Sequence, residues 1–410
     1  MRALVSPFLL LLVLGATPVA AQLGLPPLAR PVGDILETAE RVREPVQGAL
    51  GNLARDATSL ADARLSRLRN IVRRDRSALE LDAAGDPARR GELLLTDASE
   101  ADIVRAKDAG FAVLGRERLG TLDITVVRLG IPAKRSLAAA ETELKRLLPD
   151  AAISADTLHF QAGAAAARGD ARPRPVAPKI DRTVGVIDGA PGPATPADAQ
   201  RGFAKGALTP SHHGSAIVSL LRLTGVSRVA VADVYGTDAA GGNALAIARG
   251  LDWLVGEQGS RVVSISLVGP NNPLVARAVA AAQRRGVPVV AAVGNDGPAA
   301  PPAYPASYPG VIAVTAVDGR GRALIEAGRA AHLDYAAPGA DMLAANAGGT
   351  WSRVRGTSYA VPFVAARAAA ALGQGAVTAM LDRETVDLGR KGPDPVFGRG
   401  LLCANCGRKK

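Results

Sequence analysis

Apolar residues form one uninterrupted run from Phe8 to Ala16, lose regular spacing over residues 22–90, and recover it from Gly91. The irregular stretch is Arg- and Ala-rich, is broken by Pro45 and by a Gly85-Asp86-Pro87 turn, and predicts no compact unit. Beyond it, Leu93-Leu94-Leu95 reads as a strand, Ser99 caps a helix running to about Ala109, Phe111 to Leu114 reads as a second strand, and Thr121 to Leu129 alternates as a third. Leu137, Ala140, Leu144 and Leu147 recur at helical spacing within a helix from Ser136 to Leu148, and a short strand near Thr157 to Phe160 closes the unit. The order βαββαβ over 91–161 predicts a small α+β ferredoxin-like sandwich, which by itself specifies no function.

Residues 162–179 turn to Ala, Arg, Gly and Pro, including Arg172-Pro173-Arg174-Pro175, as an exposed linker would. From 180 to 402, apolar runs alternate with helical patterns. Strands are predicted at Val184–Ile187, Val229–Val234, Val262–Leu267, Val287–Val293 and Val311–Val317. Between them fall helices after His213, at Ala244–Val255 and at Leu274–Arg284, with a last long helix from Ser358 to Leu372. This alternation predicts an α/β domain, a doubly wound parallel sheet with helices on both faces.

Composition agrees: hydrophobic residues are 48% but aromatics only 3%, so the core is built from Ala, Val, Leu and Ile. Arg2, the apolar run and Val19-Ala20-Ala21 read as a secretory signal peptide over 1–21, since the run is too short to span a bilayer comfortably. The predicted location is therefore periplasmic or extracellular, with no stable transmembrane segment. The net charge of +11 is spread along the chain with few aromatics beside it, which argues against a nucleic-acid partner. Its densest run, Arg64 to Arg76 interleaved with Leu65, Leu68 and Val72, reads as an amphipathic helix with a solvated basic face. Cys403 and Cys406 lie together in a basic tail, 403–410, where they can form only a local disulfide; a zinc site would need two further ligands that the surrounding sequence does not offer.

In open parallel sheets, reactive groups collect at the carboxyl ends of strands. Asp188 terminates one predicted strand and Asn295 follows another, while His213 and Ser358 open helices. Of the four histidines, His159 falls in the preceding unit, His332 in a loop-like stretch, and His212 and His213 before an apolar helix, with His213 the better-placed base. Asp188, His213 and Ser358 supply the carboxylate, base and nucleophile of a serine triad, in the order Asp, His, Ser. Asp181 and Asp198 are the alternative carboxylates, and neither terminates a strand.

Here the segments resemble the subtilisin family of serine peptidases. Gly356-Thr357-Ser358-Tyr359-Ala360-Val361-Pro362 matches the nucleophile motif G-T-S-x-A-x-P, His213-Gly214-Ser215 is similar to H-G-T, and Ala292 to Gly297 resembles the oxyanion segment. By that resemblance the Asn295 side chain and the Ser358 amide bind the oxyanion. Asp188-Gly189-Ala190 departs from the family's D-T-G or D-S-G, and Val268 replaces the Gly of its S-L-G. Ser266, Leu267 and Val268 are then the substrate-binding strand, with Val268 narrowing the pocket for the residue before the scissile bond. The 91–161 unit resembles the family's inhibitory propeptide, with self-cleavage in the linker. The resemblance implies a secreted endopeptidase acting on peptide or protein substrates, made as a zymogen and requiring no cofactor. Calcium is common in the family, but no acidic cluster marks a site. A catalytically impaired binding protein of the same fold and a small-ester hydrolase are the alternatives.

Overall fold

The computed structural model describes residues 59–60, 62–168 and 178–403, of which 164–168 are described as backbone only. The expected signal peptide, residues 22–58, the middle of the linker and residues 404–410 lie outside the described residues.

Helix α1 spans 62–74. It is followed by β1 (Leu79–Leu81), β2 (Pro87–Thr96), α2 (Glu100–Asp108), β3 (Ala112–Leu119), β4 (Ile124–Gly130), α3 (Leu137–Leu147) and β5 (Ala152–Thr157). The strands form one antiparallel sheet in the order β1-β2-β4-β3, with β5 also pairing β2. Ser99 caps α2 in a reciprocal capping box with Asp102, and Ser136 caps α3, as serines before helical runs should.

Two expectations need correction. Ordered structure begins before Gly91, because the Asp82 carboxylate accepts from the backbone N–H groups of Ala84 (2.9 Å) and Asp86 (2.8 Å) and closes a β1–β2 hairpin. The strand expected at Thr157 to Phe160 is instead two elements. β5 ends at Thr157, and Phe160–Gln161 forms a separate strand, β6, which leaves this sheet to pair with the larger domain; β7 (Ala164–Arg168) follows it.

The larger domain contains β8 (Ile180–Asp188), β9 (Ala199–Gly202), α4 (His212–Leu223), β10 (Val226–Asp233), α5 (Ala244–Gly256), β11 (Val262–Ile265), β12 (Leu267–Val268) and α6 (Pro273–Arg284). It continues with β13 (Val289–Ala292), β14 (Ile312–Val317), β15 (Tyr335–Pro338), β16 (Ala340–Ala345), β17 (Trp351–Arg355), α7 (Val361–Ala371) and α8 (Val377–Asp382). Seven strands form a parallel sheet in the order β15-β14-β13-β11-β8-β10-β9.

Helices α4 and α7 cover one face of that sheet, packing on Val184, Val186, Val231, Val290 and Val314. Helices α5 and α6 cover the other, packing on Ile187, Ala230, Val263 and Ala291. With both faces buried, these strands read as continuous apolar runs, and each fully buried Val or Ile contributes roughly 1.5–3 kcal/mol.

The small sheet is likewise sandwiched. Leu93, Leu95, Val127, Leu129, Ile153 and Ala155 face α2 and α3, whereas Leu94, Ile124 and Val126 face α5 and α6 of the larger domain. Polar groups surround that second contact: Arg89 pairs with Asp238 (2.8 Å), Arg277 with Asp97 (2.9 Å), and Arg249 Nε with Glu117 (2.7 Å). The buried Asp156 accepts from Leu245 N–H in the first turn of α5 at 2.9 Å, and Asn272, the cap of α6, donates to the Ala155 carbonyl at 3.0 Å. The basic face of α1 is not simply solvated, since Arg64 (3.3 Å) and Arg67 (2.7 Å) both reach Asp296. Among the described residues, no helix is long and apolar enough to cross a membrane.

Candidate active site

Asp188 ends β8, in the middle of the parallel sheet, and is fully buried. Its Oδ2 lies 2.8 Å from His213 Nδ1, while Oδ1 accepts from the Gly189 N–H at 2.8 Å. His213 sits in the first turn of α4, and Gly214 is what lets that turn approach the aspartate loop, because a Cβ there would fall 2.0 Å from the Gly189 carbonyl oxygen. Asp181 lies at the other end of β8, 3.7 Å from Arg228, and Asp198 pairs with Arg222 at 2.7 Å, so neither alternative reaches a histidine. His332 bonds the Val311 carbonyl at 2.8 Å, away from this cluster.

Ser358 lies in a 3-10 turn, Thr357–Tyr359, rather than at the start of the long helix itself; α7 begins three residues later with Pro362 in its first turn. Gly356 precedes it at φ 142, a conformation that suits glycine. Ser358 Oγ donates to the Ser266 carbonyl at 2.9 Å, and His213 Nε2 has no hydrogen-bond partner. Thr357 Oγ1 accepts from Gly294 N–H (3.1 Å), and the Thr357 N–H donates to Asn295 Oδ1 (3.0 Å), which ties the serine turn to the loop after β13. With Oδ1 so engaged, Nδ2 is the group that Asn295 retains as a donor.

The site already holds a peptide segment, the chain's own residues 158–162. β6 pairs antiparallel with β12 in the register Gln161↔Leu267 and Phe160↔Val268. On the opposite flank His159 N–H donates to the Gly242 carbonyl at 2.8 Å. Ala162 N–H donates to the Ser266 carbonyl (3.3 Å), and the Ala162 carbonyl accepts from the Ser358 N–H (3.0 Å). A Cβ on Gly356 would come within 2.8 Å of Asn295 Nδ2 and 3.0 Å of the Ala162 oxygen, so both groups converge there. Ser266, Leu267 and Val268 thus lie along the segment, and Ala162 is buried in the same apolar cluster against which Val268 packs.

Three further residues join the site. Gln161 Nε2 donates to Asp188 Oδ1 at 3.0 Å. Ser211, the N-cap of α4, brings its hydroxyl to 3.4 Å from that same amide, and a Cβ on Gly189 would strike it at 2.6–2.8 Å. A hydroxyl therefore stands beside the Asp-Gly-Ala segment after all, delivered by the helix cap; a Ser two residues before His213 was the signal available. Tyr359, the variable position of the serine motif, packs its ring against His213 in a tilted arrangement, with ring centroids 5.4 Å apart. One strand over, burial and the neighbouring Asp188 charge raise the pKa of Asp233, although the Tyr235 and Gly236 N–H groups bond it.

Residues 206–386 match the Subtilase family model, a span that includes His213, Asn295 and Ser358 and stops short of Asp188, where the motif departs. Subtilisin Savinase of Lederbergia lenta is 37% identical over 165 residues, 39% of this chain and 61% of that protein. Alkaline protease of Alkalihalobacillus alcalophilus is also 37% identical over 165 residues, 43% of its length. The chain thus spans less than two thirds of either relative. Fervidolysin from Fervidobacterium pennivorans, described as a keratinolytic enzyme related to subtilisin, has a similar fold, with a TM-score of 0.63 at 16% identity over 78% of this chain and 61% of that one. The matched sequence and the doubly wound parallel sheet agree: residues 206–386 are similar to the subtilase family, and they lie in a domain with a subtilisin-like fold.

Proposed function

We propose that the chain is a secreted serine endopeptidase made as a zymogen that cuts its own Ala162–Gly163 bond. The observation that carries this reading is the placement of Ala162, whose carbonyl meets the Ser358 N–H while the preceding strand is paired with β12. Ser358 Oγ leaves the Ser266 carbonyl, gives its proton to His213 Nε2 and attacks the Ala162 carbonyl carbon. Asp188 holds the imidazole by Nδ1 and stabilises its cation. The oxyanion faces the Ser358 N–H and Asn295 Nδ2, each such donor being worth roughly 3 kcal/mol in sites of this kind. Collapse breaks the C–N bond as His213 returns the proton to the Gly163 nitrogen, and water then hydrolyses the acyl-enzyme. The 62–161 unit serves as intramolecular inhibitor, and strand pairing with β12 favours peptide over small-ester substrates.

One observation favours an impaired binding protein instead: Ser358 Oγ bonds the Ser266 carbonyl and leaves His213 Nε2 unpartnered. Intact mass of the secreted protein beside its Ser358→Ala variant, each treated with a fluorophosphonate that tags activated serines, separates the two. A peptidase yields a chain beginning at Gly163 and carrying one label, while the variant is uncut and unlabelled. A wild type that stays joined through residue 163 and takes no label, even after limited proteolysis, establishes the binding protein.

A further inference from the structure

We infer that Tyr359 makes the position just after the scissile bond selective for glycine; this rests on the cleavage site proposed above. Gly163 is open to solvent on one side, but its Cβ direction points into the Tyr359 ring. An added Cβ would lie 2.5 Å from Cε2, 2.9 Å from Cζ and 3.2 Å from the hydroxyl. Contacts under about 3 Å require a neighbour to move.

Tyr359 is 2% exposed, belongs to the apolar cluster under α4 and α7, and packs its tilted ring against His213. Moving the ring would therefore disturb the proposed base. The opposite wall is equally close, since a Cβ on Gly356 would meet Gly163 Cα at 2.8 Å. The chain passes between Gly356 and the Tyr359 ring with space for backbone alone.

Nor can the peptide back away, because it is held on both sides of this constriction. Before it, β6 is paired with β12; after it, β7 runs antiparallel to β17 from Arg355↔Ala164 to Ser352↔Arg168. Main-chain pairing of this kind fixes register, so the residue at the constriction is sorted by size rather than accommodated by sliding. The favoured substrate is an extended polypeptide with a small residue before the cut and glycine after it.

Two synthetic peptides spanning residues 157–168, one with Gly and one with Ala at position 163, test this against the self-processed enzyme, with kcat/KM read by mass spectrometry. The Gly peptide is expected to be cut at least about tenfold faster. Tyr359→Ala should close the gap by raising the rate on the Ala peptide, and Tyr359→Phe, which keeps the ring, should retain it. Since Tyr359→Ala can also disturb His213, Gly163→Ala in the intact chain provides an independent reading, with self-cleavage slowed by a similar factor. Equal rates on the two peptides by an enzyme that takes the fluorophosphonate label overturn the role of Tyr359 alone. Failure to cut either peptide overturns the cleavage site and this inference together.

Discussion

The two faces of the small antiparallel sheet bury similar residues for different ends. One face, with Leu93 and Leu95, packs on helices of its own unit, so its contacts belong to that unit's fold. The other, with Leu94, Ile124 and Val126, packs on α5 and α6 and is rimmed by ion pairs and helix caps such as Asp156 to Leu245. A sheet whose alternate residues serve two partners can remain folded while it is released from one of them. Under the zymogen reading, the first face holds the inhibitor together and the second sets how long it stays.

The largest expected effect tests that division directly. Leu93→Ala and Leu94→Ala each remove a fully buried leucine, at a cost of about 3 kcal/mol. In the uncut Ser358→Ala background, Leu93→Ala should destabilise the small unit itself, read as exposure of β2 to hydrogen exchange. In the chain that keeps Ser358, the zymogen reading expects Leu94→Ala to leave that unit folded yet hasten the onset of peptidase activity by about a hundredfold. If hydrogen exchange shows the small unit opening alike in both, the two faces are not distinct.

Acid sharpens the comparison next, because His159 and Asp156, both buried at the attachment, titrate with opposite signs. Burial pushes His159 down to about 4 from 6.5, so the docked state binds fewer protons than the released state between those values, and docking weakens as pH falls through that window. Burial raises Asp156 from 3.8 to about 6, so there the docked state keeps a proton that the released state loses, and acid strengthens docking. Release of the cut segment, followed by size-exclusion chromatography across pH 4–6.5, should be steepest in Asp156→Asn, approaching tenfold per pH unit, and should reverse sign in His159→Leu. The same slope in both variants would deny these groups any part in docking.

The smallest effect belongs to Arg67→Ala. Its pair with Asp296 is half exposed, with the arginine side chain at 52%, and such pairs contribute about 1 kcal/mol or less. A severalfold faster onset that disappears at high salt is the expected result; a salt-independent change would point to packing of α1 instead.

The parallel sheet was the most legible part of the sequence. Strands such as Val184–Ile187 and Val311–Val317 are buried on both faces and therefore read as unbroken apolar runs. The same reading offers Asp188, His213 and Ser358 as candidates, since strand ends and helix starts are local features, although Ser358 sits in a 3-10 turn before its helix, and the oxyanion role of Asn295 comes only from the family resemblance. What stayed hidden depends on partners distant in sequence. β9, Ala-Gln-Arg-Gly, is polar and forms because β10 offers it an edge. β12 and β6 are two residues each and define one another. Ser211 and Gln161 acquire a role only when α4 and the docked segment converge on Asp188, and Tyr359 only when Gly163 passes its ring.

The pairing of Ala164–Arg168 with β17 lies beyond the cut that the proposed chemistry would make, and that chemistry breaks none of it. Those residues become the leading end of the new chain while still lying where the departing half of any substrate must lie. The enzyme would then be born with a competitor tethered to itself, at an effective concentration on the order of millimolar. Loss of the inhibitory unit alone would not open the whole groove. Activity should rise in two stages, the second a lag that dilution does not change, because it is the enzyme's own tail that must first step aside.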